Sequence, residues 1–138
     1  MSIYITADHA GFKLKQKLLK LLPNLELIDL SPNFEPGDDY PLVAKNIVDK
    51  IQSDDVAIAI CGTGVGICIA LNRYKNIRAV VLSDTQTTEL ARKHNHANVI
   101  CLSGRLIKPK KAVQLIKIFL KTGADLDKRH LRRIEEIS

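Results

Sequence analysis

The apolar run Val56-Ala57-Ile58-Ala59-Ile60 leads directly into Cys61-Gly62-Thr63-Gly64-Val65-Gly66, and residues 67–73 follow with the composition of a helix. This order predicts a buried strand, a glycine-rich turn and a helix N-terminus in series. Glycines let a backbone approach a ligand closely and adopt positive φ angles. The start of a helix offers free N–H groups and the positive end of its dipole to an anion. The stretch therefore predicts an anion site with a thiol, Cys61, beside it.

Length and composition indicate one folded domain. The chain has 138 residues, and 46% of them are hydrophobic, which is enough for a packed core, so we expect a single domain over residues 1–138. No apolar run approaches the roughly 20 residues of a membrane span, and the first residues contain no basic region followed by a cleavage site. The three cysteines form no C-x-x-C pair, which favours reduced thiols over a disulfide framework. We therefore expect a cytoplasmic protein that does not bind membranes.

The net charge of +6 is uneven along the chain. Lysines cluster in the first predicted helix, and lysines and arginines fill the last quarter. Such a surface can attract nucleic acids or small phosphorylated metabolites, although most of these lysines are typical of solvated helix faces. Aromatic residues make up only 4% of the chain and there is no tryptophan, so the stacking platforms of a nucleic-acid binder are lacking. The composition therefore favours a phosphorylated metabolite over nucleic acid as the partner.

Strands and helices are predicted to alternate along the chain. Three of the strands are continuous apolar runs, as expected when helices cover both faces of a parallel sheet. This pattern predicts a three-layer α/β fold with five parallel strands, and the strand order 2-1-3-4-5 is common at this size. That order would bring Asp8-His9, after the first strand, to the same crevice as Cys61–Gly66. The predicted strands span residues 3–7, 25–30, 56–61, 77–82 and 98–102, and the predicted helices span 12–22, 41–51, 67–73, 85–94, 109–122 and 127–137.

Two side chains of the glycine-rich loop are candidates for chemistry. Cys61 is either an inert, packed residue at a strand end or a base, because helix N-termini favour the reactive thiolate form of cysteine. Thr63 is either a simple turn residue or a hydroxyl donor to a developing oxyanion. No Lys-Ser or Lys-Thr follows the last glycine, so the loop departs from the Walker pattern. Cys68 and Cys101 lack such a setting, and we interpret both as structural.

Candidate acid–base and phosphate-binding groups occur elsewhere in the chain. Asp8 and His9 are either a helix cap and a surface imidazole or groups that contact a sugar hydroxyl and a phosphate. His94 ends a predicted helix, where it either satisfies the helix dipole or acts as a general acid and base near neutral pH. His96 completes a His-x-His motif, but no third ligand lies at zinc spacing, so we expect no metal. Three arginines are either mobile on the surface or suited to bidentate phosphate binding: Arg105, Arg129 and Arg133.

Five motifs together resemble a known family. In chain order they resemble the type B ribose-5-phosphate isomerases, which belong to a sugar-phosphate isomerase family that also contains galactose-6-phosphate isomerase. The resemblance covers essentially the whole chain. The motifs are Asp8-His9-Ala10-Gly11, Asp39-Tyr40-Pro41, Cys61-Gly62-Thr63-Gly64-Val65-Gly66, His94-Asn95 with Ala97-Asn98-Val99, and Arg129-His130-x-Arg132-Arg133.

This resemblance implies a fold, an assembly and a reaction. The fold would be Rossmann-like, and the assembly would be a homodimer or homotetramer whose active sites are shared between subunits. The reaction would be the interconversion of ribose 5-phosphate and ribulose 5-phosphate through an enediolate, as in the pentose phosphate pathway. It would need neither a metal nor a cofactor, and the partner would be a small phosphorylated sugar.

The resemblance also implies roles for individual residues. Cys61 is expected to be the base that moves a proton between C2 and C1, and Thr63 with the loop amides is expected to stabilise the enediolate. His94 is expected to open the furanose ring, with Asp8 close to the ring oxygen or the sugar hydroxyls. The phosphate is expected to contact His9 and the three arginines. The implied substrate-binding set comprises Asp8, His9, Tyr40, Gly62, Thr63, Gly64, Val65, Gly66, Asn95, Arg105, Arg129 and Arg133.

Two other functions remain open. An isomerase of a six-carbon sugar phosphate, galactose 6-phosphate or allose 6-phosphate, would differ in pocket depth, which the sequence does not reveal. A flavodoxin-like module would bind phosphate or a nucleotide without catalysis. A receiver of that kind carries an acidic pair after the first strand and a phosphorylatable aspartate after the third. Here the third predicted strand ends in Cys61, which counts against a receiver.

Overall fold

The computed structural model describes all 138 residues, Met1–Ser138, and strands alternate with helices as predicted. None of the helices combines the length and the apolar character that spanning a membrane requires. The elements in chain order are β1 (Ile3–Ala7), α1 (Phe12–Leu21), β2 (Leu27–Asp29), α2 (Tyr40–Val48), β3 (Val56–Cys61), α3 (Val65–Leu71), β4 (Ala79–Val81), α4 (Thr85–Asn95), β5 (Val99–Ser103), α5 (Pro109–Lys121) and α6 (Lys128–Glu136).

The five strands form one parallel sheet in the order β2-β1-β3-β5-β4. The predicted α/β class is confirmed, but the predicted order 2-1-3-4-5 is wrong, because β5 pairs with β3 and β4 lies at the edge. All five residues of β5 are buried, as a strand between two neighbours requires. By contrast, β4 pairs over only three residues and leaves Val81 41% exposed, which suits an edge.

The position of β4 decides which helix covers which face of the sheet. From β3 the chain skips one position and forms β4 at the edge, and it then returns to form β5 between β3 and β4. The crossover through α3 and the crossover through α4 therefore run in opposite directions, and right-handed crossovers in opposite directions put their helices on opposite faces of the sheet. Thus α3 packs with α2 on one face, whereas α4 packs with α5 and α5 with α1 on the other. With β4 beside β3, α4 would have joined α2 and α3 instead.

The central strand β3 separates two cores by its alternation. Its bulky residues Val56, Ile58 and Ile60 belong to the core beneath α1, α4 and α5. Its small residues Ala57, Ala59 and Cys61 belong to the core beneath α2 and α3. Since successive side chains of a strand point to opposite faces, the alternation directs the Cys61 side chain toward α3.

One lysine of α1 is buried, unlike the solvated lysines that the charge pattern indicates for most helix faces. The Lys15 side chain is enclosed, and its Nζ donates to the two carboxylate oxygens of Asp29 at 2.9 and 2.8 Å. The same Nζ donates to Ser31 O, while Ser31 Oγ accepts from Ala7 N at 2.9 Å. The ion pair therefore joins α1 to the ends of β2 and β1, where the loop that carries Asp38 begins.

Candidate active site

The glycine-rich loop wraps around the Cys61 sulfur. Cys61 is the last residue of β3 and is buried, and its Sγ accepts a hydrogen bond from Gly64 N at 3.2 Å. Gly64 has a φ of 81°, and a Cβ on it would lie 3.0 Å from the backbone of Leu102, so only glycine fits there. The turn therefore holds the sulfur against a backbone donor, directly before α3 begins at Val65.

Thr63 lies at the exposed side of this loop. Its Oγ1 accepts a hydrogen bond from Val65 N at 3.2 Å, which satisfies one of the free amides at the start of α3. A hydroxyl that accepts one hydrogen bond still has its own hydrogen to donate. The Thr63 hydroxyl therefore keeps its own hydrogen for a ligand oxygen, and its role as a donor stays a prediction.

The Asp8 turn lies beside the Cys61 loop, as the sequence predicts. Ala7 is paired with Ile60 in the β1–β3 ladder, and Asp8 N donates to Ile60 O at 3.1 Å. The Asp8 side chain is buried, and its Oδ1 accepts from Gly11 N at 3.0 Å. Burial raises the pKa of Asp8, and the hydrogen bond from Gly11 opposes that shift. A buried carboxyl with a raised pKa beside a thiol is typical of a functional site.

His9 is held by Asp38, a residue that the motifs did not single out. A single carboxylate oxygen of Asp38, Oδ1, accepts from His9 N at 2.7 Å and from His9 Nδ1 at 3.0 Å. The hydrogen bond to Asp38 raises the pKa of His9, because the carboxylate stabilises the imidazolium. Nδ1 is thereby committed to Asp38, and Nε2 is left to donate to an anion in the crevice.

Tyr40 and Arg105 line the same loop. The Tyr40 ring lies where a side chain on Gly66 would be, because a Cβ there would approach its Cζ to 2.6 Å. The Arg105 guanidinium lies 3.2 Å from the corresponding point on Gly62, and Arg105 N donates to Gly62 O at 3.1 Å. Ser103, which the sequence did not indicate, donates its hydroxyl to that same carbonyl at 2.7 Å.

His94 and Asn95 lie at the amino-terminal ends of the strands, opposite the carboxyl-terminal ends that carry Cys61 and Asp8. These two ends of the sheet are called the His94 edge and the Cys61 edge. His94 and Asn95 end α4, which runs back to the start of β5, and the backbone oxygen of His96 accepts from Arg78 Nε at 3.0 Å just before β4 begins. Cys61 lies at the carboxyl end of β3, so the length of a six-residue strand, roughly 17 Å, separates the two edges. Within one chain, His94 therefore does not reach Cys61.

The remaining residues that were predicted to bind phosphate lie near His94. His130 of α6 stacks on the His94 ring with centroids 4.1 Å apart, which puts α6 beside the end of α4. Arg129 pairs with Asp127, which also accepts from Arg129 N at 2.8 Å at the start of the helix. Arg133 is exposed on the same helix. The structure thus divides the predicted residues between the Cys61 edge and the His94 edge.

A cluster of possible metal ligands at the His94 edge fits a hydrogen-bonded network better. His94, Asp125 and His130 place three donor atoms within 4.8 Å of one another. An imidazole nitrogen binds a metal in the plane of its ring, whereas these two rings are stacked with only 29° between their planes. In addition, His130 Nδ1 is already hydrogen-bonded to Asp125 Oδ1 at 2.8 Å, which lowers the pKa of Asp125.

Comparisons with known proteins agree with the predicted family and fold. A family model described as Ribose/Galactose Isomerase matches residues 3–137. The chain is 42% identical to a ribose 5-phosphate isomerase from Thermotoga maritima, and the two structures superpose with a TM-score of 0.93 over 99% of this chain and 96% of that one. It is 40% identical to ribose-5-phosphate isomerase B from Mycoplasma genitalium, solved with bound ribulose-5-phosphate, with a TM-score of 0.86 over 99% of this chain and 93% of that one.

A curated relative extends the agreement. Ribose-5-phosphate isomerase B from Escherichia coli (strain K12) is 36% identical over 136 residues, which cover 95% of this chain and 90% of that protein. These similarities confirm the predicted family and the predicted class of enzyme, an aldose–ketose isomerase. From the loop geometry, the sheet and the match over almost every residue, we conclude that this chain belongs to the ribose/galactose isomerase family.

Proposed function

We propose that this protein interconverts ribose 5-phosphate and ribulose 5-phosphate through an enediolate, with Cys61 as the base. The observation that carries this proposal is the position of the Cys61 sulfur, which ends the central strand, accepts Gly64 N–H at 3.2 Å and lies beside the Asp8 turn. The similarity to a Mycoplasma genitalium enzyme with bound ribulose-5-phosphate supports it. A thiol on a glycine-rich loop, next to a buried carboxyl and an imidazole, suits proton transfer on a small anionic sugar.

The first step is the opening of the furanose ring. The C1–O4 bond breaks, and its electron pair goes to O4, which takes a proton from His94 as general acid. The O1 hydroxyl loses its proton as the C1=O1 double bond forms, and Asp8 accepts that proton. The raised pKa of Asp8 suits a carboxyl that takes and returns a proton.

Isomerisation follows at the Cys61 loop. The Cys61 thiolate takes the proton from C2, and the Thr63 hydroxyl and the loop amides stabilise the enediolate. The thiol returns the proton to C1, while the O2 proton passes to O1 through Asp8. Donors that the turn already holds in place need no reorganisation as charge develops, so a rigid loop serves this step.

Both steps together need two copies of the chain, because His94 lies at the opposite edge of the sheet from Cys61. Apolar side chains beside each half are exposed, including Ile69 of α3 at 61% and Ile137 after α6 at 70%, as on a surface that a partner covers. The assembly is a homodimer, or a homotetramer built from it, in which the α4–α6 edge of one copy closes over the Cys61 loop of the other. A two-fold axis then creates two equivalent sites.

The phosphate binds between the two copies. One copy contributes His9 and Arg105, and the other contributes Arg129 and Arg133. Asp38 raises the pKa of His9, so the imidazolium is favoured and donates to a phosphate oxygen. Binding energy from this remote group orients C1 and C2 against the sulfur.

Assays of purified protein with ribose 5-phosphate, galactose 6-phosphate and allose 6-phosphate test the substrate. We expect ribose 5-phosphate to have the highest kcat/KM. Preference for a six-carbon sugar would support the alternative isomerase. Binding of these phosphates without turnover of any of them would support the non-catalytic module instead.

Replacing the base tests the mechanism. Cys61→Ala should lower kcat by about 10³-fold, since loss of a positioned proton acceptor costs 10²–10⁴-fold. Binding of inorganic phosphate and the melting temperature should stay close to wild type. Cys68→Ala is the matched control, because Cys68 donates to Ala79 O and lies outside the loop. Near-normal turnover of Cys61→Ala would contradict the assignment of the base.

A further inference from the structure

Asp125 is bound to α4 on both sides of His94. Its backbone N–H donates to Lys93 O at 3.1 Å, and its backbone carbonyl accepts from His96 Nε2 at 2.8 Å. His96 is able to make this contact because it adopts a left-handed conformation, with φ of 48°, as the residue after α4. The main chain of Asp125 is therefore fixed against the helix end that carries His94.

The Asp125 carboxylate is hydrogen-bonded to one of the two stacked imidazoles and lies near the other. Its Oδ1 accepts from His130 Nδ1 at 2.8 Å, and its Oδ2 lies 3.9 Å from His94 Nε2. The His130 side chain is only 13% exposed, whereas that of His94 is 40% exposed. His130 is thus the inner, anchored ring, and His94 is the outer ring that remains open to a ligand.

The arrangement suits a support for a proton-transfer group. The stacked His130 ring restricts the plane of His94, and the Asp125 carboxylate, 3.9 Å from His94 Nε2, attracts the protonated ring through charge without a direct hydrogen bond. Proton transfer requires a donor within hydrogen-bond reach of the reacting atom, and misplacement by about 1 Å costs up to about 10²-fold in rate. An exposed histidine that rotates freely at a helix end would spend much of its time misplaced, and the rate of proton transfer would fall accordingly.

We propose that Asp125 and His130 are positioning residues, which hold the His94 imidazole in the orientation needed for opening the sugar ring. Neither residue touches the reacting atoms, and both act through His94. This inference rests on the proposed role of His94, and it adds two groups to the ring-opening half of the site.

Two substrates separate positioning from general support of the fold. Ribose 5-phosphate must open its ring, whereas 4-deoxyribose 5-phosphate lacks O4 and stays open. Asp125→Ala should lower kcat for ribose 5-phosphate by about 10-fold and change kcat for the open-chain analogue less than about twofold. Asp125→Glu should recover part of the loss. Glu89→Gln is the matched control, because Glu89 is an exposed carboxylate of α4 that pairs with Lys93 and contacts neither imidazole.

The outcomes are distinct. Equal losses of kcat on both substrates would overturn the positioning role, and so would no loss of kcat on either. Wild-type protein that isomerises neither sugar would instead remove the proposed function. In that case, nitrogen-15 NMR of the ring nitrogens still tests the contact itself. His130 should carry its hydrogen on Nδ1 in the wild type and lose that preference in Asp125→Ala. An unaltered His130 tautomer would overturn the inference without any activity measurement.

Discussion

The two edges of the sheet carry the two halves of the proposed site, and they are built differently. At the Cys61 edge, the functional groups follow directly from strand register, and backbone atoms make most of the contacts. At the His94 edge, partly exposed side chains at helix ends are held by hydrogen bonds and ring stacking. The first half is thus a product of the fold of one chain. In the proposed assembly, the second half becomes part of a site only when another chain meets it.

Combining two defective chains would test this division with the largest effect. Cys61→Ala lacks the base and His94→Ala lacks the ring-opening group, so each homodimer should be nearly inactive. A mixed dimer places both defects in one site and leaves the other intact, so it should show about half of the wild-type activity per dimer. The dimer is obtained by co-expression with two affinity tags and tandem purification. An inactive mixed dimer would contradict sharing between chains.

Removing the ring-opening group should have the next largest effect. His94→Ala should lower kcat for ribose 5-phosphate by about 10²-fold, while 4-deoxyribose 5-phosphate is affected far less. Lys93→Ala provides the control, since Lys93 precedes His94 but pairs with exposed Glu89. Similar losses on both sugars would show that the His94 edge supports something other than ring opening.

An arginine at the His94 edge should affect binding more than chemistry. Arg133→Ala should raise KM for ribose 5-phosphate by about 10-fold and weaken inhibition by inorganic phosphate, because a charge-assisted hydrogen bond is lost. Arg132→Ala is its neighbour on α6 and pairs with Glu136, so its KM should stay at the wild-type value. If the two variants behave alike, Arg133 is an ordinary surface residue.

A pH comparison at the Cys61 edge should give the smallest effect. Asp38 raises the pKa of His9, so in the wild type the imidazolium persists to higher pH than an isolated histidine would allow. In Asp38→Asn the proton is lost at lower pH. Phosphate inhibition should therefore be weaker than in the wild type by about threefold near pH 7.5 and equal to it near pH 5.5, where both proteins are protonated. A constant ratio across this range would remove His9 ionisation from phosphate binding.

The sequence was sufficient to predict that Asp8 and Cys61 lie side by side, because the signals that indicate β1 and β3 are local. The predicted strands at residues 3–7 and 56–61 coincide with β1 and β3, whose ends carry Asp8 and Cys61. Neighbouring parallel strands end at the same side of a sheet, so the pairing of β1 with β3 brings Asp8 and Cys61 together. The motif order also led to the correct family. Assembly, localisation and the chemical roles of the residues stay predictions.

Features that depend on distant parts of the chain were missed. The segment at residues 77–82 is apolar apart from Arg78 and was predicted as a six-residue strand, yet only three of its residues pair, and β5 takes the inner place. The partners Asp38 and Asp125 each lie 29 residues from a histidine that they contact, His9 and His96. Burial of Lys15 in α1 likewise depends on Asp29 of β2. No periodicity encodes such pairs.

The contact between Tyr40 and Gly66 has a practical consequence for redesign. The aromatic ring rests on the first turn of α3 only because position 66 has no side chain. Enlarging residue 66 would push the ring outward, and trimming residue 40 would open a hollow above the helix start. If the sugar binds at the Cys61 loop as proposed, its length is best tuned at this pair, because the shape of the pocket changes there while the sulfur and its hydrogen-bond donor stay in place.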